Sequence, residues 1–313
     1  MKKQTLLYTL FILAFNCTNK KKEASITAIY VKESHSYAKP NEAVIKHLDL
    51  DIVVDFETEV ITGTASYAIE NYEASEIVLD SKFLDIISTE VDGRPNNFEL
   101  GSFDEQLGQA LRIPISKDTK QVTVHYKTTD KTEALQWLSP QQTADKKHPF
   151  LFTQGQAILT RSWIPIQDSP QIRITYDAKV VVPKELMAVM SAENPKQKTV
   201  DGVYNFKMKQ PISPYLIALA IGDLEYKAVS NRTGIYAEKS MVDKAQAEFI
   251  DMEKMVVAAE HLYGDYDWDQ FDVIVLPPSF PFGGMENPRL TFATPTVIAG
   301  DKSLTSLIAH ELA

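Results

Sequence analysis

A single cysteine, Cys17, stands in 313 residues, so no intrachain disulfide can form. No run approaches the roughly 18 consecutive apolar residues that a membrane-spanning helix needs. Positive charge is also scarce: 32 Lys and Arg against 42 Asp and Glu leave a net charge of -10. That balance excludes a nucleic-acid partner, because holding phosphates requires clustered Lys and Arg. The one basic run, Lys20-Lys21-Lys22, lies close to the N-terminus. Histidines are scattered at 35, 47, 125, 148, 261 and 310, and no two stand four residues apart. No repeat of fixed period and no low-complexity tract occurs.

The first residues have a plan of their own. Lys2 and Lys3 precede an apolar stretch from Leu6 to Phe15, too short to cross a bilayer, which reads as a secretory signal. Cys17 follows directly, at the position where bacterial lipoproteins carry their lipidated cysteine. Thr18 to Ser25 is polar and charged, as a flexible tether would be. Residues 1–25 are therefore expected to be a signal and tether with Cys17 as the lipidation site. The expected location is outside the cytoplasm of a bacterium, lipid-anchored to a membrane or periplasmic.

At this length roughly two domains are expected. Leu48, Leu50, Ile52, Val54 and Phe56 alternate with polar neighbours, the period of a half-buried strand. Val122, Val124 and Tyr126 repeat the pattern, and turn signals such as Asp92-Gly93 and Asp201-Gly202 separate such runs. Residues 26–228 thus read as a β domain. Beyond it the pattern becomes mixed. A strand is expected at Gly234–Ala237, and Ala245, Phe249, Met252, Val256, Ala259 and Leu262 predict one helix over 242–263. Strands follow at Asp272–Leu276 and Leu290–Thr294, then a last helix with Ser303 as N-cap and Leu304, Leu307 and Ile308 on its core face. Residues 229–313 therefore read as the opening of an α+β domain. Asp265 to Asp269 imitates the start of a calcium loop, but Gln270 stands where the loop needs glycine and Leu276 where it needs glutamate.

Chemistry concentrates near the end of the chain. His310-Glu311-Leu312-Ala313 spells the first four letters of H-E-x-x-H, the helical motif that binds zinc through two imidazoles one turn apart. Upstream lie Gly283-Gly284-Met285-Glu286-Asn287, bracketed by prolines, and Thr291-Phe292-Ala293-Thr294-Pro295. Together these stretches resemble the aminopeptidase N family of gluzincins, in the branch holding the leukotriene-epoxide hydrolase and the arginyl aminopeptidase. Thr153-Gln154-Gly155-Gln156-Ala157, Pro165 to Pro170 and Pro211 to Leu216 extend the resemblance back through the β domain.

The resemblance implies a saddle-like N-terminal domain of antiparallel sheets, then the incomplete start of a thermolysin-like catalytic domain. It implies one Zn2+ per catalytic domain, with His310 as its first ligand and the remaining ligands past residue 313. Glu311 would act as general base on the metal-bound water, whose pKa zinc lowers to about 7. Gly283, Gly284, Met285 and Asn287 would form the backbone edge against an extended peptide, and Glu286 would bind its free α-ammonium. Gln154 and Gln156 would line the pocket. The implied partners are peptides with a free N-terminus, and the implied activity is release of N-terminal residues. Two rival readings remain: an aminopeptidase with added epoxide hydrolysis, and a non-catalytic surface-binding lipoprotein.

Overall fold

A computed structural model of the chain describes residues 30–313. The expected signal and tether, with Cys17, lie outside the described residues. The β domain is built on a seven-stranded sheet in the order 203–212, 174–181, 43–55, 60–71, 121–128, 84–91 and 94–96. Its long strand Ala43–Asp55 has the burial alternation read from the sequence, with Leu48, Leu50, Ile52 and Val54 inward and the intervening residues toward solvent. Asp92 and Gly93 both have positive φ, 49° and 72°, which suits the two-residue hairpin joining Val91 to Arg94. A three-stranded sheet (76–81, 109–114, 99–100) and a four-stranded one (187–190, 219–222, 150–153, 135–138) complete this part. Pairing in the three sheets is antiparallel except between Ala43–Asp55 and Ile174–Val181, which run parallel.

The mixed region follows as a five-stranded sheet in the order 224–228, 233–238, 271–275, 290–293 and 284–285. Its two faces serve different cores. Tyr236, Ile274 and Phe292 join the large core of the β domain, while Ile235, Ala237, Val273 and Val275 pack under the helices. A buried carboxylate ties the layers: Glu238 accepts the backbone N–H groups of Ala144 (2.7 Å) and Asp145 (3.1 Å).

The expected single helix over 242–263 is two: α1 (Lys239–Glu248) and α2 (Met252–Tyr263). The chain turns at Phe249–Asp251, yet Phe249 and Met252 both stay buried, so the three-and-four spacing runs unbroken through the break. The last helix, α3 (Ser306–Leu312), starts later than expected, with Thr305 as its N-cap. Ser303 is not the cap; its N–H instead meets Asp301 Oδ1 at 3.0 Å in the preceding turn. Of the three residues read as the core face of α3, Ile308 is fully buried, Leu307 is half-buried, and Leu304 precedes the helix and is exposed. Residues 265–269 form an acidic helix-to-strand connection, with Asp269 bound to Arg289 Nη1 at 2.8 Å.

Candidate active site

The five-residue Gly-Gly loop sits at the open edge of the five-stranded sheet. Gly284 and Met285 pair antiparallel with Ala293 and Phe292, and Thr294 N–H donates to Gly283 O at 3.0 Å. Because Gly284–Met285 is the terminal strand, its other side offers backbone groups to an added strand. Phe280 anchors the approach, packing edge-on against Phe152 of the β domain (centroids 5.6 Å apart) and against Phe292 (6.1 Å).

Helix α3 lies against this edge. Leu307 and Glu311, four residues apart, share the face toward the loop. A methyl group added to Gly283 would come within 3.1 Å of Leu307 Cδ1, and one added to Gly284 within 2.5 Å of Glu311 Cδ. Glycine at 284 thus leaves room for a carboxylate on the backbone of the loop. Burial, chiefly, holds the Glu311 carboxyl above its ordinary range; the negative charge of Glu286 adds to this and His310 opposes it. His310 and Glu311 are consecutive residues of α3, and Glu311 feels the charge of Glu286. Glu286 and His310 are exposed, while Glu311 is half-buried.

The β domain contributes from the other side. Gln154 follows the strand Phe150–Thr153 and its Nε2 approaches Met285 Sδ at 3.3 Å. Two buried amide atoms here have no partner among the described residues, Gln154 Oε1 and Asn287 Nδ2. Asn287 is 3% exposed, and its backbone closes the loop through bonds to Met285 O and from Leu290 N–H. Gln156 is exposed two residues beyond Gln154. The structure thus brings together Gly283 to Asn287, Gln154 and Glu311, with His310 next to Glu311 in α3, while no hydrogen bond among the described residues ties Gln156 to them.

One neighbour was missed in the sequence. Tyr215, in the single turn Pro214–Leu216, is half-buried, and burial first and then the charge of Glu286 hold its phenol above the ordinary range. No residue pattern distinguishes this tyrosine, because it stands 71 positions before Glu286 in the chain.

The donor chemistry here matches only part of a zinc site. His310 supplies one imidazole, and structural or catalytic zinc takes at least three protein ligands. Among the described residues, the one trio of His, Cys, Asp or Glu close enough to share an ion is His47, Asp49 and Asp177, on the solvent face of the seven-stranded sheet. The described residues therefore do not make up the implied zinc centre around His310.

Residues 44–216 match the Peptidase M1 N-terminal domain, and residues 247–313 match the Peptidase family M1 domain. The chain is 45% identical over 289 residues to a leukotriene A-4 hydrolase of Xenopus laevis, covering 88% of this chain and 48% of that protein. It is 42% identical to a leucine aminopeptidase 2 of Yarrowia lipolytica, covering 83% of this chain and 41% of the relative. Among solved structures, a yeast LTA4 hydrolase in complex with bestatin superimposes with a TM-score of 0.85 at 34% identity, covering 92% of this chain and 46% of that one. The chain thus spans about half the length of these relatives. They also correct one expectation. Four similar proteins come from a frog and three fungi, which overturns the reading of an exported bacterial protein. Among the described residues, no helix is long and apolar enough to cross a membrane. Both parts of the chain match one peptidase family, and its fold superimposes on that of a hydrolase similar to it: the chain belongs to peptidase family M1.

Proposed function

We propose that this chain contributes the β domain, over residues 26–228, and the opening of the catalytic domain, over 229–313, of a metallo-aminopeptidase. The observation that carries the reading is the meeting of the two halves of the motif. The Glu311 carboxylate lies on the backbone of Gly284 and feels the charge of Glu286. A peptide laid along the free edge of Gly284–Met285 would gain backbone hydrogen bonds and present its first residue to Glu286. The Glu286 carboxylate would pair with the α-ammonium, a contact that only the N-terminal residue of a peptide can make. Glu311 would accept a proton from the attacking water and return it to the departing amine. Gln154 and Gln156 would flank the first side chain. Zn2+ belongs to this reading for the whole protein, with His310 as one donor.

The test uses a full-length protein carrying this sequence. Leucyl-p-nitroanilide should be hydrolysed, and Glu311→Gln should slow turnover by about 10²–10⁴-fold, the usual worth of a general base. N-acetyl-leucyl-p-nitroanilide should not be turned over. Comparable rates on free and acetylated substrates would rule out the amine-anchor reading.

A further inference from the structure

His47 and Asp49 stand two residues apart on the outward face of the strand Ala43–Asp55, and Asp177 lies directly across from Asp49 on the parallel strand Ile174–Val181. The pairing is irregular beside this spot on both strands. Lys46 is the extra residue of a bulge against the strand 60–71, and the pairing of 174–181 with 203–212 shifts register at Thr175. A bulge re-aims the side chains that follow it, so His47 shares a face with Asp49 although Ile45 is buried. A ring nitrogen of His47 and one carboxylate oxygen each from Asp49 and Asp177 all lie within 4.8 Å of one another. The two ring nitrogens have different neighbours: Nδ1 meets Thr175 Oγ1 at 2.7 Å, and Nε2 faces Asp49 Oδ1 at 3.4 Å. A metal ion on Nε2 needs the ring proton on Nδ1, and Thr175 Oγ1 is placed to accept it there.

Like charges directly opposite in a sheet repel one another. One step along the same two strands, Asp51 faces Lys179 and pairs with it at 3.1 Å, so that carboxylate is neutralised from across the ladder. Asp49 has no such partner: among the described residues, no Lys or Arg nitrogen comes within 4 Å of its carboxylate, and Asp177 has only Lys207 Nζ, at 3.8 Å. A divalent ion between the two acids would turn their repulsion into shared attraction. We propose that His47, Asp49 and Asp177 form a metal site of the β domain, separate from the zinc read around His310, that takes a divalent ion of the zinc type. One imidazole and two carboxylates are donors zinc accepts, and three protein ligands leave a position for water on this open face. Mg2+ and Ca2+ favour oxygen donors and gain little from the imidazole. The bound ion would clamp Ala43–Asp55 to Ile174–Val181, the parallel pair of the β domain. None of the three residues belongs to the mixed region, so the site stands or falls apart from the roles of Glu286 and Glu311.

The test titrates Zn2+ into the 313-residue chain and follows the histidine ring nitrogens by long-range 1H–15N NMR, with His47 assigned through His47→Gln. His47 Nε2 should shift as a ligated nitrogen, Nδ1 should stay protonated, and the curve should saturate below about 1 mM Zn2+. Asp49→Asn and Asp177→Asn, both surface changes, should each weaken the curve by about tenfold or more, and Thr175→Val by about tenfold through the lost acceptor. His310→Gln should leave the curve in place, and Mg2+ at the same concentration should leave the His47 signal still. A His47 signal unmoved at about 1 mM Zn2+, or one that moves equally in Asp49→Asn and Asp177→Asn, overturns the site. A curve abolished by His310→Gln also overturns it, because the shift would then belong to the catalytic region.

Discussion

Replacing Arg161 by methionine should cost the β domain a large part of its stability, and the cost should depend on pH. The Arg161 guanidinium is fully buried between two carboxylates that are themselves buried, Asp80 and Asp168. It donates from Nε to Asp168 Oδ2 at 3.2 Å, from Nη1 to Leu107 O at 3.0 Å, and from Nη2 to His35 O at 2.7 Å. Asp80 in turn accepts Ser36 Oγ at 2.5 Å and the N–H groups of Tyr37 and Asp168. Methionine fills much of the space but leaves both acids without a counter-ion. Breaking a buried pair in this way costs about 3–5 kcal/mol. Burial already holds both acids above the ordinary carboxylate range, with Arg161 opposing it. Removing the cation raises them further. A carboxyl whose folded value exceeds its unfolded one favours the fold less as pH climbs between those two values. The variant should therefore lose about 3–5 kcal/mol at pH 8 and clearly less at pH 5, where the acids take up protons. Urea denaturation followed by circular dichroism at both pH values measures this. A loss below about 1 kcal/mol, or an equal loss at both pH values, would refute the argument. Because Arg161 and Asp80 also hold the segment around His35 to Tyr37, the variant should be cut faster by trypsin at Lys32 and Lys39.

Two further changes probe the mixed region. Burial raises Asp272 to about 7 against the pull of Gln270, Lys196 and Arg289, so the fold should lose stability as pH rises from about 4 to about 7. Asp272→Asn should flatten that slope by at most about 4 kcal/mol, the ceiling for a three-unit shift, in urea titrations at pH 5 and 8; an unchanged slope would contradict it. Glu248 caps the turn before α3, accepting Gly300 N–H and Lys302 N–H at 2.8 Å each. Glu248→Ala leaves two donors unpaired, so about 2–4 kcal/mol should be lost and amide exchange at 300–302 should quicken, while protected amides there would argue against the cap.

The strands of the β domain were legible because period-two alternation and turn residues are local signals. Leu48 to Val54 alternates in the sequence as it does in the sheet, and Asp92-Gly93 turns where its chemistry says it should. What the sequence hid is non-local. The break between α1 and α2 leaves the burial of Phe249 and Met252 in phase, so a periodicity scan passes over it. The turn before α3 is held by Glu248, more than fifty positions upstream, and Thr305 caps the helix, so the more obvious cap at Ser303 was misleading. The parallel pairing of Ala43–Asp55 with Ile174–Val181 likewise joins segments far apart in the chain. At the site, the Gly-Gly loop and the His-Glu pair were readable as motifs, yet their contact through Gly284 and the presence of Tyr215 needed the fold.

One titration bears most directly on whether the Gly-Gly loop and the His-Glu pair form a single amine-binding pocket. Leucinamide is added to the chain with its glutamates 13C-labelled at the carboxyl carbon, and the Glu286 and Glu311 signals are assigned through Glu286→Gln and Glu311→Gln. Both resonances should move along one saturation curve, with one dissociation constant. If Glu286 shifts while Glu311 stays still, or the two follow different curves, the carboxylates serve separate sites and the account is wrong.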